Sequence, residues 1–211
     1  MIRHDALRLY LVASPDIRPD DNLVEVVSST IAAGVTCLQL RWKSATDRAI
    51  FELGRSLLTV TRGAGIPLII NDRLDVALAL GADGVHLGVD DLPIADARRL
   101  AGPDFIIGYS PETDEEISQA AAYASYLGIG PFFSTATKPD AGSALGPVEF
   151  ARRRARTTLP TVAIGGISSH NAAEPLSAGA DGIAVVSAIL GMSDPAAATR
   201  DLVRALPPRA T

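Results

Sequence analysis

Short runs of aliphatic and β-branched residues recur along the chain as LRLYLVA, TCLQLR, PLIIN, GVHLG, FIIGYS, YLGIG, TVAIGG and GIAVV, each of strand length. Between most of them lie Ala-, Leu- and Arg-rich stretches whose apolar residues return at helical spacing, including 23–33, 47–62 and 94–100. Strand and helix therefore alternate, which predicts parallel strands joined by crossover helices. Eight such units in 211 residues favour a closed (β/α)8 barrel, with an open doubly wound sheet as the alternative. No break in composition divides the chain, so residues 1–211 are expected to form one domain.

Several predicted helices run into small-residue turns before the next strand: AAGVTC, GAGIPL, LGADGV and SAGADG. Their glycines suit helix C-caps with positive φ, and the two GADG copies at 81–84 and 179–182 are the nearest approach to an internal repeat. These turns belong to the stability face. The opposite strand ends are polar, and that is where barrel enzymes carry their chemistry.

In QLRWK, a period of two places Gln39, Arg41 and Lys43 on one face of the second strand. Directed inward at a barrel mouth, the two cations make an anion site and Gln39 can orient a heterocyclic edge; a solvated outer edge is the structural alternative. The third strand ends in Asn71, Asp72 and Arg73, and the fourth runs on to Asp90 and Asp91. Asp72 and Asp91 suit one shared Mg2+, against an Asp72–Arg73 ion pair and a helix N-cap at Asp90 or Asp91. Ser110 closes the fifth strand with a hydroxyl for a diphosphate oxygen, and no His/Asp pairing that would make it a nucleophile is evident. After the sixth strand, FSTATKPDAG offers Thr135, Thr137 and Lys138 to a phosphate, and an ordinary solvated turn is the alternative. Gly165, Gly166, Val186 and Ser187 follow the last two strands, where backbone amides commonly bind a second phosphate.

Other residues point away from chemistry. His86 has no second His at ligand spacing and reads as an interior histidine. Cys37, the sole cysteine, lies among apolar residues and reads as a buried structural thiol that excludes an intrachain disulfide. The formal net charge of −5 leaves ARRRAR at 151–156 as the one basic cluster, best explained as a solvated helix face, so no nucleic-acid partner is expected. No segment is apolar and long enough for a membrane span and no leader pattern opens the chain, which leads to an expected cytoplasmic location; oligomeric state stays open.

Taken in order, QLRWK, NDR, GADGVHLGVDD, IGYS, TATKPDAG, AIGGI and VVSA resemble the thiamine phosphate synthase family over nearly the whole chain. The resemblance implies a (β/α)8 transferase that joins 4-amino-2-methyl-5-pyrimidinylmethyl diphosphate to a thiazole phosphate and releases pyrophosphate. It further implies that Gln39, Arg41, Lys43, Asn71, Ser110 and Lys138 hold the pyrimidine diphosphate, with Arg41, Lys43, Ser110 and Lys138 stabilising the leaving group. Asp72 and Asp91 would bind Mg2+, and Thr135, Ala136, Thr137, Gly166, Val186 and Ser187 the thiazole phosphate. A bulky Gly166 variant is accordingly expected to weaken thiazole binding in a protein that still folds. Trp42, Val89 and the PET turn at 111–113 depart from the family pattern and bear on affinity and loop geometry. A thiazole tautomerase of the same superfamily and a non-catalytic phosphate-ligand sensor are the competing readings.

Overall fold

A computed structural model describes residues 2–19, 22–135, 137 and 142–208. Eight parallel strands close into a barrel in chain order: β1 (Leu9–Ala13), β2 (Cys37–Leu40), β3 (Leu68–Asn71), β4 (Gly84–Leu87), β5 (Ile106–Tyr109), β6 (Tyr126–Ile129), β7 (Thr161–Ile164) and β8 (Gly182–Val185). β8 pairs back onto β1 through the Leu9–Ile183 to Leu11–Val185 register, which excludes the open sheet. Around the barrel run α1 (Leu23–Ala33), α2 (Asp47–Ala64), α3 (Leu74–Leu80), α4 (Ile94–Ala101), α5 (Asp114–Ala120), α6 (Gly146–Arg154), α7 (Ala173–Ser177), α8 (Ser187–Leu190) and α9 (Pro195–Ala205).

The period-two alternation of each strand separates two cores. Leu9, Leu11, Leu38, Ile70, Leu127, Ala163 and Ile183 face outward and meet the helices in one continuous apolar layer. Tyr10, Val12, Cys37, Ile69, Tyr126, Val162 and Ala184 face inward and form a second cluster, joined at the bottom by Ile2, Ala6 and Leu7 around a short 3-10 helix at His4–Leu7. The inner layer seals the N-terminal end and leaves the C-terminal end open.

The GADG turns are built alike. Gly81 and Gly179 take positive φ at the ends of α3 and α7, while Asp83 and Asp181 each accept the N–H of the strand next door, Leu68 and Thr161, at 2.8 Å. A side chain on Gly84 would collide with Ile106 O, and one on Gly182 with Leu7 O. Each copy thus ties a helix end to a neighbouring strand at the bottom of the barrel. Cys37 is fully buried there, and desolvation pushes its thiol pKa up, so it is inert packing.

Candidate active site

A cavity of about 1070 Å³ opens at the C-terminal ends of the strands. Its wall includes Gln39, Arg41, Lys43, Asn71, Asp72, Asp91, Ser110, Thr135, Thr137, Gly166, Val186 and Ser187, so the structure brings these sequence-predicted residues to one space. Ala136 and Lys138 lie outside the described residues.

On the β2–β5 side, Gln39 is buried and its Nε2 donates to Tyr10 OH at 2.8 Å. Arg41 follows β2, anchored by its N–H to Ala13 O at 2.9 Å, and its guanidinium makes no hydrogen bond or ion pair with a described residue. A guanidinium at a cavity wall is an anion-binding group. Lys43 Nζ reaches Asp72 Oδ2 at 3.4 Å. Asp72 adopts φ 62°, a conformation Asp and Asn tolerate better than most residues, and its N–H donates to His86 O at 2.9 Å. That backbone turn sets the carboxyl beside Asp91. Burial and then the Asp91 charge raise the Asp72 pKa, against an opposing pull from Lys43. Asp91 Oδ2 accepts the Gly88 N–H at 2.7 Å, which fixes the second acid, and α4 starts after Pro93 rather than at a capping aspartate. Arg73 turns away to Asp47 and Asp75, so the Asp72–Arg73 alternative does not form.

Two adjacent carboxylates in a partly buried wall suit one hard divalent cation, which would relieve their repulsion. No group of three or more His, Cys, Asp or Glu ligands is present among the described residues, so such an ion would complete its shell from water and substrate oxygens.

Three interior residues were missed as site residues. Tyr10 and Tyr126 present their hydroxyls to each other at 2.8 Å, and His86 bridges Tyr126 OH (3.0 Å, through Nδ1) to Ser110 Oγ (2.8 Å, through Nε2). His86 is satisfied, as expected of an interior histidine, with its pKa lowered to about 4 by burial. The sequence made no His/Asp pairing for Ser110 evident; the barrel pairs β4 with β5 and sets His86, 24 residues away in the chain, beside Ser110, with Tyr126 rather than a carboxylate on the other ring nitrogen. Room for the rings comes from Gly108, where a side chain would collide with Tyr126 and His86. The signal in the sequence was phenolic Tyr10 and Tyr126 on the same inward alternation as Val12 and Gly128.

The β6–β8 side gathers hydroxyls and amides. Thr137 Oγ1 lies 3.3 Å from Ser187 Oγ, linking the loop after β6 to the first turn of α8, whose leading N–H groups have no intrahelical acceptor. Gly165 and Gly166 take positive φ of 102° and 64°. The expectation that a bulky residue at 166 acts on ligand alone is corrected, because its Cβ would stand 2.5 Å from Ser134 O and 2.7 Å from Phe133 Cβ. The basic run at 152–156 is an ion-paired surface: Arg152 bridges Asp114 and Glu149, and Arg154 binds Gly179 O and Thr157 O. Arg153, held by Glu149 at 2.8 Å, also reaches the cavity wall.

A closed parallel barrel whose open end carries an acid pair, a guanidinium unpaired among the described residues and an amide- and hydroxyl-rich turn has the build of an enzyme handling phosphorylated small molecules. The chain belongs to the thiamine monophosphate synthase family, whose pattern matches residues 9–189. The thiamine-phosphate synthase of Azorhizobium caulinodans is 48% identical over 197 residues, covering 93% of this chain and 93% of that protein. That of Moorella thermoacetica is 46% identical over 195 residues, covering 92% and 93%. Among solved structures, thiamine phosphate pyrophosphorylase from Pyrococcus furiosus superposes with a TM-score of 0.86 at 39% identity, covering 96% of both chains. A 3-hexulose-6-phosphate synthase, at 16% identity and a TM-score of 0.67, shares the fold alone.

Proposed function

We propose that this chain is a thiamine-phosphate synthase, a transferase that condenses 4-amino-2-methyl-5-pyrimidinylmethyl diphosphate with a thiazole phosphate and releases pyrophosphate. Sequence identity near half over more than nine-tenths of the chain supports the reaction. One observation ties it to the site: a single cavity of about 1070 Å³ carries cations and an acid pair on one wall and a hydroxyl-and-amide turn on another, which suits two phosphorylated substrates held side by side.

The chemistry asks for stabilisation of a departing anion, since loss of diphosphate leaves a pyrimidinylmethyl cation for the thiazole nitrogen to capture. Arg41 and Lys43 bind the diphosphate electrostatically, and Ser110 donates a hydrogen bond to one of its oxygens. Lys138 is assigned the same task from the loop after β6. Asp72 and Asp91 hold Mg2+, which supplies charge neutralisation at the phosphate oxygens when bound. Gln39 and Asn71 orient the pyrimidine half. Thr135, Ala136, Thr137, Gly166, Val186 and Ser187 seat the thiazole phosphate, and no protein nucleophile is required.

A tautomerase has no use for a metal-diphosphate wall, and a sensor would bind without turnover. Pyrophosphate release measured with each component omitted in turn separates them. Release that needs both substrates and Mg2+ is the expected result, and binding without release, or isomerisation of thiazole phosphate alone, overturns the reading. No helix among the described residues is long and apolar enough to cross a membrane.

A further inference from the structure

A continuous hydrogen-bonded chain crosses the barrel interior from Gln39 to Ser110. Gln39 Nε2 donates to Tyr10 OH at 2.8 Å, Tyr10 OH meets Tyr126 OH at 2.8 Å, Tyr126 OH meets His86 Nδ1 at 3.0 Å, and His86 Nε2 meets Ser110 Oγ at 2.8 Å. Its direction follows from the inventory of protons. The Gln39 amide nitrogen only donates, so Tyr10 OH accepts there, and its own proton has Tyr126 or Cys37 as its possible acceptors. Cys37 sulfur, the other polar neighbour of Tyr10, is a weak acceptor, which leaves Tyr126. Tyr126, having accepted, donates to His86 Nδ1. The ring then carries its single proton on Nε2 and donates to Ser110 Oγ.

We infer that Tyr10, Tyr126 and His86 are positioning residues that fix His86 as the Nε2–H tautomer and thereby compel Ser110 to aim its hydroxyl proton into the cavity as a donor. The reverse direction would turn Ser110 toward His86 and leave only a lone pair facing an anion, the wrong sign for holding a departing diphosphate. The packing agrees with the assignment: a side chain on Gly108 would collide with both Tyr126 and His86, and one on Gly128 would press to 3.2 Å from His86 Cε1 and Ser110 Oγ. Two glycines on adjacent strands thus leave the space the chain occupies. The catalytic consequence rests on the proposed transferase reaction, whereas the tautomer does not.

The test has two arms on the full-length protein. In the first, nitrogen-15 NMR of labelled protein identifies the protonated His86 nitrogen. Nε2–H is expected, and the Nδ1–H tautomer overturns the inference whatever the enzyme does. In the second, Tyr126→Phe, which keeps the ring and is checked for wild-type unfolding behaviour, is expected to lower kcat about tenfold with KM for both substrates within about twofold. In a Ser110→Ala background the same change should alter kcat by less than about twofold, because its route is already cut. An equal tenfold loss in both backgrounds overturns the claim that Tyr126 acts through Ser110. Absence of pyrophosphate release from the wild type would sink the transferase reading and leave the tautomer result standing.

Discussion

Asp72→Asn is predicted to make the metal-free protein more stable and the enzyme nearly inactive. Asparagine is close to aspartate in size and also tolerates the φ of 62° found there, so the backbone should hold. What changes is charge. Like unit charges about 4 Å apart repel by about 4 kcal/mol at an effective dielectric of about 20, and the Asp91 charge acts on Asp72 in this sense. Lys43, 3.4 Å from Asp72, offsets much of this, and with side-chain exposures of 25% for Asp72 and 57% for Lys43 solvent screens what is left. A net relief of about 1 kcal/mol remains, which for a chain of this size raises Tm by about 2–4 °C. Thermal unfolding near neutral pH with and without Mg2+ plus pyrophosphate is the assay. Without metal the variant should melt above the wild type. With Mg2+ and pyrophosphate the wild type should gain more, about 1.4 kcal/mol at ten times Kd, while the variant gains little. A variant that melts lower without metal and responds equally to Mg2+ and pyrophosphate would show the acid pair to be a structural contact.

Gly108→Ala should cost about 1–3 kcal/mol in thermal unfolding, because the added methyl enters the space of Tyr126 and His86; unchanged stability would contradict the packing described. Cys37 should resist alkylation in the native protein and react only as the chain unfolds, so labelling at the rate of an exposed thiol would show it is not sealed in the barrel. The Glu149 carboxyl, held by Arg152 and Arg153, has its pKa lowered to about 2 from 4.5. Its contribution to stability is present above about pH 4.5 and is lost as pH falls toward 2, and an NMR titration of Arg152→Ala should find the pKa moved upward.

The strands, their parallel order and closure were legible because each strand is a short apolar run and each helix a periodic one, so pattern and propensity agree. Arg41, Lys43, Asp72 and Asp91 were legible because charges at strand ends have few structural explanations in a fold whose strand exteriors face helices. Tyr10, Tyr126 and His86 were not. A tyrosine in a strand reads as ordinary apolar filling, and the interior histidine was weighed alone, since its partners come from strands 24 and 40 residues away. Gly166 was misjudged for a related reason: sequence shows the freedom a glycine offers but not which neighbour fills the space, here Ser134 and Phe133 of the loop after β6. Asp72 and its φ of 62° lie between these cases, as the residue type was visible and the turn that aims it at Asp91 was not.

The most direct test follows both products in one reaction by phosphorus-31 NMR, using the pyrimidine diphosphate, thiazole phosphate and Mg2+ with wild type and with Asp91→Asn. Wild type should convert the diphosphate into equimolar pyrophosphate and thiamine phosphate, with no pyrophosphate when thiazole phosphate is left out, and Asp91→Asn should fold and turn over at least about a hundredfold more slowly. Full activity in Asp91→Asn, or no thiamine phosphate from the wild type, would contradict the account.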